Sequence, residues 1–142
     1  MSTKEQKIGE IVAEHHRREG ALLPVLHAVQ AEFGCVDAQS EALVAKGLNL
    51  SRADVHGVVS FYHDFHDQPD LRPVVQVCRA EACKARGVEQ IIDQATAAAG
   101  DRVKVQTVYC LGLCSSGPAA RVGDRLHARL DGPALAQIVE NA

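Results

Sequence analysis

Four of the five cysteines in this 142-residue chain fall into two spaced pairs, Cys78 with Cys83 as C-x4-C and Cys110 with Cys114 as C-x3-C. Thiolates are metal ligands, and four thiols have no other reason to meet at one point. A disulfide framework does not fit, because the opening Met-Ser-Thr-Lys-Glu-Gln-Lys has no signal-peptide core and reads as a cytoplasmic chain, where thiols stay reduced. Structural zinc uses cysteine knuckles close to these spacings. A plant-type [2Fe–2S] site uses C-x4-C and C-x2-C with a distant fourth cysteine, so a two-plus-two arrangement is not that motif. Charge does not separate the metals, since tetrathiolate zinc and a diferric tetrathiolate [2Fe–2S] centre each carry two negative charges. The spacing leaves both open.

The surroundings agree with a metal. Gly87, Gly112 and Gly117 permit tight turns whose amides can point at sulfur. Arg79, Lys84 and Arg86 stand in or beside the first pair. Neither pair has the C-x-x-C spacing of a thiol–disulfide oxidoreductase. No histidine interleaves with the pairs as a Rieske-type site requires. Cys35, after Gly34, is expected to be a small buried hydrophobe, not a fifth ligand. His63 and His66 share one expected helix face but lack a third ligand, so they belong to a polar helix end. His15 and His16 belong to the solvated edge of the first helix.

The ligands need elements to hold them. Val74 to Val77 after Pro73 predicts a buried strand, and Val103-Lys-Val105-Gln alternates as a strand with one face covered. Each cysteine pair then follows a strand end, in a loop. If the two strands are neighbours, the loops emerge together and the sulfurs converge. Between them, Val88, Ile91, Ile92, Ala95 and Ala99 predict a helix that Gly100 ends. Ala119–Val122 and Arg125–Ala128 flank Gly123-Asp124, a hairpin signal, and Asp131 with Pro133 opens a last helix. The predicted order is β-α-β-β-β-α.

The first half has a different period. Ile8, Ile11, Val12 and His15 share a helix face behind a Ser2/Glu5 capping box, and Leu22 to Phe33 repeats the pattern with Gly34 as its stop. A third helix runs from about Gln39 to Leu48 after an Asp37 cap. Ser51 and Asp54 open a fourth, with Val55, Val58, Val59 and Tyr62 on its apolar face. Four short helices on short connections predict a bundle. The fold class is therefore α+β, with a helical bundle over residues 1–70 and a thioredoxin-like α/β domain over 71–142.

Composition excludes other classes. Net charge is −3 and five residues are aromatic, so there is neither a basic stripe nor a stacking platform for nucleic acid. No apolar run is long enough for membrane insertion. The nucleophile elbow, the P-loop and the dinucleotide glycine turn are all missing, so the chain should bind neither nucleotide nor flavin itself. Residues 1–70 carry 6 Lys+Arg against 11 Asp+Glu, while residues 71–142 carry 9 against 7. The acidic half could dock a basic partner.

Val77-Cys78-Arg-Ala-Glu-Ala-Cys83 and Val108-Tyr-Cys110-Leu-Gly-Leu-Cys114-Ser-Ser-Gly-Pro118 together resemble the thioredoxin-like [2Fe–2S] ferredoxin family. Its members include the small iron–sulfur subunit of NADH:quinone oxidoreductase, the matching subunit of NAD-dependent hydrogenases and the gamma subunit of soluble NAD-dependent formate dehydrogenase. The Cys-Leu-Gly-x-Cys run is the most specific piece. Ala21-Leu-Leu-Pro-Val-Leu-His-Ala-Val-Gln30 and Val55-His-Gly-Val-Val-Ser-Phe-Tyr62 extend the likeness back to about Ile8.

The resemblance implies one [2Fe–2S] cluster on Cys78, Cys83, Cys110 and Cys114, with backbone amides around Arg79 and Gly112 hydrogen-bonded to its sulfurs. It also implies an electron-transfer subunit beside a flavin- and NAD-binding partner, with FMN, NAD and any molybdenum cofactor held only by partner subunits. Arg79-Ala-Glu-Ala-Cys83 and Phe61-Tyr-His-Asp-Phe65 look most like the formate dehydrogenase subunit, which would add a molybdenum-containing catalytic partner. The equivalent subunits of NADH:quinone oxidoreductase and NAD-reducing hydrogenase are the alternatives. A zinc-stabilised interaction module and an autonomous homodimeric ferredoxin are the competitors from other classes. The helical half would clasp the flavin subunit through an exposed Val55/Val58/Val59/Phe61 face. Pro118 stands where thioredoxin-like folds often hold a cis proline, though the base rate favours trans.

Overall fold

A computed structural model describes residues 2–142. The chain divides into two compact units, residues 1–71 and 72–142.

The first unit is four helices, α1 (Thr3–His15), α2 (Leu22–Phe33), α3 (Ala38–Leu48) and α4 (Arg52–Phe61). Their ends follow from local chemistry. Ser2 and Glu5 make a reciprocal capping box at α1, and the Asp37 side chain accepts from the Ser40 amide at α3. Gly34 ends α2 in the left-handed conformation, φ 76°. At α4 only half of the box forms. Ser51 Oγ accepts from the Asp54 amide, but then donates to the Asp54 carboxylate at 2.7 Å. Ile8, Val25, Leu26, Val29, Val36, Val44 and Val55 are buried together as this unit's core, and Cys35 is also buried.

Two expectations on α4 need correcting. Val55 and Val59 are buried in the bundle's own core and Val58 packs partly against it, so they are not an exposed face awaiting a partner. The helix ends at Phe61, which places His63 and His66 beyond it, on an irregular segment. The backbone turns extended at Tyr62, and the His66 amide is taken by the Gln30 side chain at 2.8 Å.

The second unit runs β1 (Val74–Cys78), α5 (Glu81–Ala85), α6 (Val88–Ala99), β2 (Lys104–Val108), a turn of 3-10 helix (Cys114–Ser116), β3 (Ala120–Val122), β4 (Arg125–His127) and α7 (Gly132–Asn141). The sheet order is β2-β1-β3-β4, with β1 parallel to β2 and antiparallel to β3. Val75 and Val77 of β1, Val88, Ile92 and Ala95 of α6, and Leu135 and Val139 of α7 form its core. Helices followed by a mixed four-stranded sheet with its own helices make the expected α+β, thioredoxin-like arrangement. The Gly117–Pro118 bond is cis, against the base rate. Among the described residues no helix is long and apolar enough to cross a membrane.

Candidate metal centre

Parallel pairing of β1 with β2 brings the cysteines together. Cys78 stands opposite Val108 in the register, so both chains leave the sheet at the same end. Cys78 is the last residue of β1, and Cys83 follows on α5, one and a half turns that the sequence pattern does not reveal. Cys110 lies two residues beyond β2, and Cys114 opens the 3-10 turn. Of the four, only Cys110 and Cys114 are therefore outside regular strand or α-helix, and the expectation that both pairs sit in loops is corrected for the first pair. A five-residue helix shows no apolar period, and Ala80 gives it no side-chain cap.

The sulfurs come as two pairs. Cys110 Sγ and Cys114 Sγ are 3.6 Å apart on the exposed side, while Cys78 and Cys83 are neighbours in the buried interior. Among the described residues no three His, Cys, Asp or Glu side chains gather as a set around one ion. Metal–sulfur bonds of about 2.3 Å put two thiolates on one tetrahedral ion about 3.8 Å apart, which the 3.6 Å between Cys110 and Cys114 approaches. Two metal ions bridged by sulfide need one close pair each, and the donor set present fits that group.

Backbone amides surround the sulfurs. The Cys110 amide donates to Cys78 Sγ at 3.3 Å, and the Gly112 amide donates to Cys110 Sγ at 3.4 Å. Burial pushes the Cys78 thiol up, but the amides of Ala80, Cys110 and Leu111, together with the Cys83 thiol, outweigh it and hold Cys78 below the ordinary thiol range. Cys83 moves the other way, raised by burial and by Cys78, with the Ala119 amide opposing. Cys114 is raised chiefly by its contact with Cys110.

The expected amide donors are placed as follows. Gly112, at φ 78°, turns its amide onto sulfur. Arg79 does not: its amide donates to the Val108 carbonyl at 2.9 Å, extending the β1–β2 ladder, and the amide facing sulfur is the next one, of Ala80. The Arg79 Nε and Nη2 donate to the two Glu89 carboxylate oxygens, at 2.9 and 2.5 Å. Gly117 supplies room instead of a donor, since a Cβ there would lie 2.9 Å from Cys83 Sγ. Gly87 adopts φ 94° before α6, and its amide goes to the Lys84 carbonyl at 3.0 Å. Cys110 itself has φ 82°, a left-handed conformation in a non-glycine ligand that the sequence gives no sign of.

Residues 8–142 match the family model described as thioredoxin-like [2Fe–2S] ferredoxin, and the chain belongs to that family. It is 28% identical over 134 residues to the NADP-reducing hydrogenase subunit HndA of Solidesulfovibrio fructosivorans, covering 88% of this chain and 78% of the relative. It is 29% identical over 148 residues to an NADH-quinone oxidoreductase subunit of Rhizobium meliloti, covering 98% of this chain and 88% of the relative. A crystal structure of an NAD+-reducing [NiFe]-hydrogenase in the H2-reduced state superposes with a TM-score of 0.70 at 26% identity. That match covers 84% of this chain but only 22% of the hydrogenase chain.

Proposed function

We propose that the chain is a [2Fe–2S] electron-transfer subunit of an NAD(P)-linked oxidoreductase of the hydrogenase or NADH–quinone oxidoreductase type. The observation that carries this reading is the pairing of four thiols at the ends of two neighbouring parallel strands, with amides on their sulfurs. Cys78 and Cys83 would hold the inner metal ion, and Cys110 and Cys114 the outer one. When bound, the cluster supplies a one-electron station, which hydride chemistry requires on the far side of a flavin. The chain's own residues position the sulfurs, direct amides at them and keep one pair out of water. The flavin and nicotinamide sites belong to a partner subunit, against which the helical unit docks. The isolated chain does not turn over.

The formate dehydrogenase assignment, with its molybdenum-bearing partner, rests on two short segments, Arg79–Cys83 and Phe61–Phe65. The relatives above support the hydrogenase and NADH–quinone assemblies instead, and these are the reading adopted. The experiment is anaerobic iron and acid-labile sulfide analysis, with EPR before and after dithionite. The expected result is two irons and two sulfides per chain, silent when oxidised and spin one-half when reduced. Zinc without sulfide would overturn it.

A further inference from the structure

The outer sulfurs have a second chemistry open to them. Cys110 Sγ and Cys114 Sγ lie 3.6 Å apart, and both residues are exposed. Cys78 and Cys83 are each 2% exposed, and a Cβ at Gly117 would lie 2.9 Å from Cys83 Sγ, so that pair is closed to a small-molecule oxidant. Cys35 is buried in the helical unit. Of the five thiols, two are both accessible and adjacent.

The segment between them has the freedom to close the gap. A disulfide bond is about 2.0 Å long, so the sulfurs must approach by roughly 1.6 Å. Leu111, Gly112 and Leu113 belong to no strand or helix, and nothing lies within 4 Å of where a Cβ of Gly112 would stand. The pairing of β2 with β1 ends at Val108, so the closure breaks no ladder hydrogen bond. It disturbs only the long amide contacts to Cys78 and Cys110 sulfur, at 3.3 and 3.4 Å.

We propose that, before a cluster is inserted, Cys110 and Cys114 form a reversible disulfide that latches the site against metal until a reductant opens it. The oxidant is a low-molecular-weight disulfide of the glutathione type. The thiolate of one cysteine attacks it, forming a mixed disulfide and releasing one small thiol. The second cysteine attacks the protein sulfur of that adduct, closing the Cys110–Cys114 bond and releasing the second small thiol. Two protein thiols are oxidised and one small disulfide is reduced to two thiols, with two electrons and two protons passed between them. The second step is intramolecular across 3.6 Å, which favours the bridge over the adduct. An exposed bridge of this kind is the labile class, the one a reducing compartment reopens. The bridge rests on geometry alone, while its role as a latch rests on the reading of these cysteines as cluster ligands.

The test uses the full chain, stripped of metal with a chelator, reduced and desalted without oxygen. It is treated with oxidised glutathione at about pH 8, where thiols begin to ionise, then alkylated and digested with trypsin under non-reducing conditions. Cleavage after Lys104 and Arg121 leaves Cys110 and Cys114 together on residues 105–121, while Cys78 and Cys83 fall on separate peptides. The expected peptide is lighter by two hydrogens, with the other three of the five cysteines alkylated. Cys114→Ser should instead retain a glutathione adduct on Cys110. A native 105–121 peptide that carries two alkyl or glutathione groups, or is joined to another peptide, would overturn the proposal. The bridged chain is then offered a [2Fe–2S] cluster on a scaffold protein, with no free sulfide or thiol, since either reopens the bridge. It should take up less than about a tenth of what the reduced chain takes, and a phosphine reductant should restore full uptake. Equal uptake by the bridged and reduced chains would overturn the latch. A reduced chain that takes no cluster would remove the electron-transfer reading, whatever the peptide map shows of the bridge.

Discussion

Replacing Gly117 by Ala tests the placement of Cys83 most directly. Gly117 has φ −69° and ψ 167°, a backbone conformation open to any residue, so alanine meets no backbone penalty there. The obstacle is space. A Cβ would lie 2.9 Å from Cys83 Sγ, 3.4 Å from Arg86 Cδ and 3.5 Å from Cys83 Cα. Arg86 can swing aside, and 3.5 Å to a Cα is ordinary contact. The sulfur is different, because Cys83 is only 2% exposed and has one side-chain torsion with which to retreat.

Non-bonded heavy atoms sit at about 3.5–4.0 Å, so the sulfur must move by roughly 0.6–1 Å. Metal–ligand distances hold to within about 0.2 Å, several times less than that displacement. The overpacking should cost about 1–3 kcal/mol, which leaves the fold in place. The expected outcome is a chain with native far-UV CD, less than about half the native iron and sulfide, and shifted g-values in whatever reduced signal remains. A Gly117→Ala chain with full iron, full sulfide and an unchanged spectrum would refute the argument that Cys83 sulfur lies under Gly117 as a ligand. Gly112→Ala separates the two uses of glycine. Nothing lies within 4 Å of a Cβ there, but φ is 78°, so alanine should cost about 1–2 kcal/mol of backbone strain and disturb the amide on Cys110.

The remaining predictions concern single groups. Cys110→Ala should abolish cluster assembly, whereas Cys35→Ala should leave iron and sulfide unchanged, with metal analysis as the check. The Asp37 carboxyl is held at about 2, first by the Lys4 ammonium 2.6 Å away and then by the Ser40 amide, against an ordinary 3.8. A lowered carboxyl pKa stabilises above the unfolded value and loses that contribution as pH falls through the folded one. Asp37 is 39% exposed, which screens the effect to about 1 kcal/mol or less. Asp37→Asn should therefore be slightly less stable than the native chain above pH 4, with the gap closing toward pH 2, as followed by urea unfolding of the helical CD signal. Glu41 is nearly buried and has His56 Nδ1 3.1 Å from both carboxylate oxygens. The His56 side chain is 68% exposed, so His56→Ala should destabilise the chain by about 1 kcal/mol or less in the same assay.

What the sequence made legible is what local chemistry decides. Ser2 with Glu5, Asp37 and Gly34 fix helix ends through their own side chain or backbone freedom, and α1 and α3 begin, and α2 ends, beside them. Val74 to Val77 and the Gly123-Asp124 pair likewise carry their strand and hairpin signals within a few residues. What was not legible depends on packing. Nothing local to Val55 and Val59 says whether they face their own bundle or a partner; only the closing of α1 to α4 answers that. His63 and His66 look helical by spacing, yet the backbone turns extended at Tyr62 and Gln30, far back in the chain, claims the segment. Arg79's amide is likewise unavailable to sulfur because of a strand pairing with residues some thirty positions away.

The bonds that Arg79 makes also change how the centre's charge is compensated. The excess of Lys and Arg in the second half invites an electrostatic account in which Arg79 offsets the thiolates. Arg79 instead donates from Nε and Nη2 to Glu89, so its charge is already answered by a carboxylate. Amide dipoles supply part of the compensation. Ala80, Cys110 and Leu111 point at Cys78, Ala119 at Cys83 and Gly112 at Cys110. These donors are fixed by the backbone, cannot rotate away and need no counter-ion, which suits a site whose own charge must change by one without rearrangement. Zinc and a [2Fe–2S] core present the same charge when first assembled. Their use separates them, since a structural zinc takes no added electron whereas a [2Fe–2S] core does.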